Sequence, residues 1–126
     1  MNRNESRRII MTILYQIFLY QRDKISYDVK DVIDENLEID NLFVREMVNG
    51  VLDKKDELYK KADQNLKDWK MSRLGLTDQA ILCLGLYELL YTDTPDVVAI
   101  TIIIARITIT ASNSINVNPF LLLNFI

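Results

Sequence analysis

The sequence predicts an all-α fold, and three observations favour that class. The chain has 126 residues but only 3 Gly and 2 Pro, so the turns that an all-β fold needs are scarce. Apolar residues recur at helical spacing through the first half. The segment Ala80–Tyr91 is apolar nearly all round, which is typical of a buried central helix. The length suits one domain with a single core, so we expect a bundle of about six to seven helices within residues 1–126.

The first helix is predicted from about Glu5 to Gln21. Five apolar residues at i, i+3, i+4 and i+7 spacing form its core-facing stripe. They are Ile10, Ile13, Leu14, Ile17 and Phe18. A short surface helix follows, with Val29, Val32 and Ile33 on its apolar side.

A longer helical pattern extends from Asn41 to about Lys70, and it is compatible with a break into two helices near Asp53–Asp56. Gly50 lies inside the pattern at a cost of roughly 1 kcal/mol relative to Ala, which suggests a close helix crossing there. Several lysines lie among acidic residues, and we interpret them as a solvated face and not as a binding patch. These are Lys54, Lys55, Lys60 and Lys61.

The central helix is predicted to begin at Thr77, a good N-cap residue, with Asp78 in its first turn. Cys83 falls on the apolar run and is expected to be a small core residue. Glu88 is an acid on the same run, so it must find a partner when buried. Pro95 marks a plausible start of a further helix.

The last thirty residues differ from the rest. From Val97 to Ile126 the only charged side chain is Arg106. Most residues between Ile100 and Thr110 are β-branched, which favours a strand over a helix. Residues 97–126 are therefore an atypical part of the predicted single domain, and a misfolded segment or a damaged reading frame are the alternative explanations for them.

Several classes of function are excluded or disfavoured by composition. The chain has no His and one Cys, so a Ser–His or Cys–His nucleophile is impossible and the commonest zinc ligand is missing. We expect no enzymatic activity, no cofactor and no metal. No signal peptide and no uninterrupted apolar stretch of about 18 residues is found, which predicts a cytoplasmic protein without a membrane span.

Charge is unevenly distributed along the chain. The net charge is −3, which argues against a general polyanion binder. The first 25 residues contain five basic and two acidic residues, whereas residues 26–60 contain ten acidic and five basic ones. A basic start on an acidic body is a plausible way to bind RNA at one edge and a basic protein elsewhere.

Three arginines begin the first helix: Arg3, Arg7 and Arg8. Cations at a helix N-terminus oppose the macrodipole, so an external anion is one reason for their presence. A solvated charged turn is the alternative. Tyr15 shares a helix face with Arg8 and could stack on an unpaired base, although core packing is equally compatible with its position.

Three segments of the chain follow one another in a characteristic order and spacing: Ser6–Arg8 leading to Leu14–Gln16, then Phe43–Leu52, then Trp69–Tyr91 continued by Pro95 and Val98–Ile100. They resemble, in that order, the arginine-rich opening, the middle helix and the central signature of the NusB family. The resemblance covers roughly residues 3–100. The chain departs from the family at Asn4, where a second Arg is frequent, and after Ile100, where charged closing helices are expected.

The resemblance implies a helical, non-enzymatic transcription antitermination factor. Such a factor binds boxA-type single-stranded nascent RNA together with NusE, a ribosomal protein, within the RNA polymerase antitermination complex, and supports transcription of ribosomal RNA operons. By the same resemblance, Arg3, Arg7 and Arg8 would contact phosphates and Tyr15 a base. Asp78 would contact the basic partner; an acid that simply favours the helix dipole is the alternative.

Two other functions remain open from sequence. One is a NusB-like fragment of a ribosomal RNA cytosine methyltransferase, although no glycine-rich cofactor loop follows a strand. The other is a helical interaction scaffold without RNA binding. The arginine-rich opening speaks against the scaffold, because a scaffold has no need of cations at that helix terminus.

Overall fold

A computed structural model of the chain describes residues 1–66, 70–96 and 98. Five α-helices and one short 3-10 turn, Met71–Arg73, make up the secondary structure of this part, which contains no strand. The helices are α1 (Arg3–Arg22), α2 (Val29–Asn36), α3 (Leu42–Asp53), α4 (Lys55–Asn65) and α5 (Leu76–Tyr91). The all-α prediction is confirmed. Beyond these elements, Asp96 and Val98 are helical and the Val98 N–H donates a hydrogen bond to the Pro95 carbonyl, as expected of a further helix that starts at Pro95. The strand predicted within residues 100–110 lies outside the described residues.

The core forms where α1 packs against α5, with α2, α3 and α4 arranged around that pair. The apolar stripe predicted for α1 is buried along its whole length, from Ile10 to Phe18. On α5, every residue from Asp78 to Leu86 is buried, as expected of a central helix. Burying each large aliphatic side chain stabilises the fold by roughly 1.5–3 kcal/mol.

Three helices begin at a side-chain cap. The side chains of Asn2, Asp28 and Asn41 each accept a hydrogen bond from the backbone N–H three residues later. A cap of this kind is worth about 1 kcal/mol. Helix α5 begins differently, because Gly75 occupies its N-cap position and the helix starts at Leu76. The prediction that Thr77 caps α5 is therefore wrong, since Thr77 already lies in the first turn.

The break in the long helical pattern is confirmed, and Lys54 separates α3 from α4. At Gly50, where a close helix crossing was predicted, the structure shows a side-chain contact: the tip of the Tyr87 ring from α5 lies over the glycine. A Cβ atom built on Gly50 would overlap the hydroxyl and ring of Tyr87. None of the described helices is both long and apolar enough to cross a membrane.

The lysines of α4 divide into two kinds. Lys60 and Lys61 are exposed, as predicted for a solvated face. Lys55 differs, because its Nζ lies 4.5 Å from the centroid of the Phe18 ring and donates a hydrogen bond to Gln21 Oε1. Partial burial lowers the pKa of Lys55. The prediction of a uniformly solvated face is wrong at this residue.

Candidate nucleic-acid interface

The three arginines of the opening all lie on the first turns of α1, but they do not share one surface. An α-helix turns about 100° per residue, so Arg3 and Arg8, five residues apart, project about 140° away from each other. Arg7 projects toward the same side as Ile10 and Leu14, three and seven residues later, which face the core. The cluster seen in the sequence therefore divides into three different environments.

Arg7 is committed to the interior. Its guanidinium forms a two-pronged ion pair with Glu88 of α5, with Nε 3.0 Å from Oε2 and Nη2 2.9 Å from Oε1. Arg7 is 7% exposed and Glu88 is fully buried. Thr94 Oγ1 donates a further hydrogen bond to the Glu88 carboxylate. The pair links α1 to the end of α5.

The prediction that Arg7 displays its guanidinium to an RNA phosphate is therefore wrong. An internal carboxylate, and not an external anion, explains this arginine. The sequence did require a partner for Glu88, since an acid on an apolar helix must be satisfied. Helix spacing alone could not identify Arg7 as that partner, because the two residues are 81 positions apart.

Arg3 is exposed, and its guanidinium carbon lies 3.7 Å from the centroid of the Phe43 ring. This cation–π contact directs Arg3 toward α3. The guanidinium edge stays available to an anion, because the contact uses the face of the group and leaves its N–H donors in the guanidinium plane.

Arg8 and Tyr15 form an exposed row on the outer face of α1, with Thr12 between them. Seven residues separate Arg8 from Tyr15, so the two side chains project within about 20° of each other and about 10 Å apart along the axis. Tyr15 is 39% exposed, so the alternative of core packing is wrong. Within the described residues, Arg8 forms no ion pair. We call Arg8, Thr12 and Tyr15 the α1 stripe.

Arg22 continues the α1 stripe by another seven residues, a position that the sequence reasoning missed. The same i+7 spacing that relates Arg8 to Tyr15 would have found it. Its guanidinium Nε lies 2.9 Å from Asp23 Oδ1, and this contact lowers the pKa of Asp23. Because Asp23 neutralises it, Arg22 adds little net charge to the stripe.

Asp78, the predicted contact for a basic partner, is 3% exposed in the first turn of α5. A carboxylate at that depth is not part of the surface that a partner would touch. The prediction that Asp78 contacts a basic partner is therefore wrong, because this residue is buried on the apolar helix α5.

Neither a metal site nor a reactive thiol is found in the part of the chain that the structure describes. Its acidic and cysteine side chains form no group of three or more that could hold a metal ion. Cys83 is fully buried, and burial raises the pKa of its thiol to about 12. The thiol is therefore a core group and not a nucleophile.

The family model described as "NusB family" matches residues 4–112 of this chain. The chain belongs to the NusB family. The match includes α1 from its second residue onward, with the α1 stripe, and the whole of α5. It also extends beyond the roughly 100 residues over which the sequence motifs carry the resemblance.

Curated NusB relatives are similar over about three quarters of the chain. A transcription antitermination protein NusB from Clostridium novyi is 33% identical over 79% of this chain and 78% of its own length. Those from Macrococcus caseolyticus and Staphylococcus aureus are 38% and 36% identical, over 79% and 75% of this chain and 76% and 74% of their own lengths. All three relatives are named as transcription antitermination proteins. No solved structure matches the chain.

Proposed function

We propose that this protein acts in transcription antitermination by binding single-stranded RNA of the boxA type through the α1 stripe and Arg3. Membership of the NusB family supports the general role, because the relatives are named for it. The observation that carries the RNA proposal is that a cation, Arg8, and an aromatic ring, Tyr15, are both exposed on one face of α1.

The chemistry of the stripe suits an unpaired RNA strand. An arginine without an internal partner can form two parallel hydrogen bonds with a phosphate. A tyrosine ring can stack on an exposed base, which contributes about 1–3 kcal/mol per base. Double-stranded RNA fits less well, because its bases are already stacked and are read mostly by shape.

A protein partner is part of the proposal. Two exposed arginines provide few phosphate contacts, so affinity for RNA alone should be modest at physiological salt. A second protein that binds both this chain and the RNA would raise the affinity without any new contact within the stripe. We propose a NusE-type ribosomal protein for that place, within the RNA polymerase antitermination complex in the cytoplasm. Asp78 and Arg7 are not among the proposed contacts.

The test is binding of the purified full chain to a labelled boxA-type RNA and to a permuted RNA of the same composition, with and without a NusE-type protein. We expect preference for the boxA-type RNA and a marked gain in affinity with the partner. No binding to either RNA under both conditions would overturn the proposal and favour a helical scaffold.

Substitutions at Tyr15 separate stacking from hydrogen bonding. If the ring stacks, Tyr15→Phe keeps most of the affinity, whereas Tyr15→Ala lowers it about tenfold or more. Because Tyr15 is exposed, neither change should alter the melting temperature much, and circular dichroism provides that control. Equal affinity for the wild type and Tyr15→Ala would exclude the proposed role of the ring.

A further inference from the structure

A second surface lies beside the α1 stripe, between the first turns of α1 and the connection from α2 to α3. It is a groove of about 530 Å³. Its lining consists of Met1, Glu5 and Ile9 on one side and residues 36–41 on the other. We call this surface the α1–α2 groove.

The most exposed large apolar side chains in the described part of the chain lie in or next to the groove. Ile39, Leu42 and Met1 are 82%, 68% and 59% exposed, more than any other large apolar residue there. Ile39 and Met1 line the groove, and Leu42 is the first residue of α3 immediately after it. A concentration of exposed apolar side chains of this kind is typical of an interaction surface.

Charge around the groove is acidic. Glu5, Glu38 and Asp40 line it, and among its lining residues the only positive group is the amino terminus of Met1. Asp40 pairs with Arg45, whereas the Glu5 and Glu38 side chains take part in no ion pair or hydrogen bond within residues 1–66, 70–96 and 98. RNA would be repelled by this acidic rim. Glu5 lies seven residues before Thr12 in α1, so the rim directly adjoins the α1 stripe.

The far wall of the groove is held in place. Arg45 of α3 contacts both Asp34 of α2 and Asp40, and Lys30 Nζ lies 2.9 Å from Asp34 Oδ2. Arg45, and then Lys30, lower the pKa of Asp34. Asn36 is fixed by hydrogen bonds from its Nδ2 to Gln16 Oε1 and to the Val32 carbonyl. Such a wall needs little rearrangement to receive a ligand.

We propose that the α1–α2 groove is a docking site for a basic, amphipathic segment of a partner protein. Apolar side chains of that segment would cover Ile39 and Leu42, and its Lys or Arg residues would lie against Glu5 and Glu38. Recognition of this kind follows the helix-in-groove mode, in which apolar anchors supply affinity and charges supply orientation. The site goes beyond the proposed RNA function and does not depend on it.

The test uses the full chain and a fluorescent peptide of about fourteen residues that presents Leu on one helix face and Lys on the other. A second peptide with Glu in place of Lys is the chemical control. We expect the basic peptide to bind, with affinity that falls as salt rises, and the acidic peptide not to bind. Equal binding of both peptides, or binding of neither, would overturn the proposal.

Variants locate the contact. Glu38→Lys and Ile39→Ser should each weaken binding of the basic peptide by about fivefold or more, since one removes the charge and the other the anchor. Asp53→Lys is the matched control, because Asp53 is exposed at the other end of α3, about 16 Å from Leu42 along the helix axis. Equal losses in Glu38→Lys and Asp53→Lys would mean general charge attraction and would overturn the proposal.

Other occupants give different results. Self-association that Ile39→Ser abolishes, measured by analytical ultracentrifugation, would assign the groove to a second copy of the chain and overturn the proposal.

Measurements of RNA affinity distinguish this docking proposal from the proposal that the α1 stripe binds RNA. In the Glu38→Lys and Ile39→Ser backgrounds, Arg8→Ala should lower RNA affinity by the same factor as in the wild type, whether or not the peptide binds.

Discussion

Arg7 and Arg8 are neighbours in the sequence with opposite roles in the structure. Arg7 closes a buried ion pair with Glu88, and Arg8 projects to solvent beside Tyr15. One step along a helix rotates a side chain by about 100°, and that rotation is enough to move a guanidinium from the core to the surface. Position on the helix, and not residue type, therefore decides whether an arginine is buried in the fold or exposed and available for the phosphate contact that we propose for Arg8.

Arg7→Ala is expected to destabilise the fold. Removing the guanidinium leaves the Glu88 carboxylate buried without its charge partner, which costs about 3–5 kcal/mol. The double variant Arg7→Met/Glu88→Leu should lose much less stability, because it removes both charges and keeps roughly the same side-chain volume in the core. Urea unfolding followed by circular dichroism measures these differences. A loss below about 0.5 kcal/mol in Arg7→Ala would contradict the buried pair.

Cys83 provides a second test at the residue scale. It is the only cysteine of the chain and is fully buried. Its reaction with a thiol reagent should be about 100-fold slower in the native protein than in urea, because the native thiol reacts only after opening of the core. Rapid labelling without denaturant would show that α5 is not central.

The same thiol predicts a dependence of stability on alkaline pH. Burial raises the folded-state pKa of Cys83 from 9.0 to about 12. The unfolded chain therefore loses this proton first, so the contribution of Cys83 to stability is intact below about pH 9 and declines above it. In Cys83→Ala the decline of the unfolding free energy between pH 9 and 10.5 should be shallower than in the wild type. If the unfolding free energies of the two proteins declined in parallel with pH, the raised pKa of Cys83 would be contradicted.

At the scale of elements, the helices follow from local sequence and the contacts between them do not. Periodicity located the core face of α1 and the burial of α5, because both depend on the spacing of apolar residues within one helix. Gly50 indicated a close crossing, but its contact with Tyr87 depends on how α3 meets α5. The N-cap of α5 was misplaced although it is a local feature, because Gly75 initiates the helix without the side-chain hydrogen bond that an N-cap such as Thr77 would supply.

Gly50→Ala tests the crossing of α3 and α5. Alanine favours a helix over glycine by about 1 kcal/mol, but its Cβ would overlap Tyr87. We expect a net destabilisation of about 1–3 kcal/mol in urea unfolding, because overpacking outweighs propensity. Gly75→Ala is the matched control, since a Cβ there meets no atom within 4 Å. A gain of stability in Gly50→Ala would contradict the close contact between Gly50 and the Tyr87 ring.

At the scale of the whole molecule, an acidic protein presents two surfaces of opposite character on adjacent faces of α1. The α1 stripe carries an unpaired arginine and an exposed aromatic ring, and the α1–α2 groove carries acids around exposed apolar side chains. The sequence indicated a basic start and an acidic middle. It could not show that the two meet along one helix, because residues 36–41 reach α1 only through the folding of α2 and α3.

The central claim is that Arg8 contacts RNA phosphate while Arg7 maintains the fold. Its most direct test is the salt dependence of RNA affinity for the wild type, Arg8→Ala and Lys60→Ala, an exposed cation of α4 removed as a matched control. Arg8→Ala should reduce the slope of log affinity against log salt by about 0.7, one phosphate on a single strand, and leave unfolding unchanged. Lys60→Ala should keep the wild-type slope. Equal slopes in all three proteins would contradict the claim.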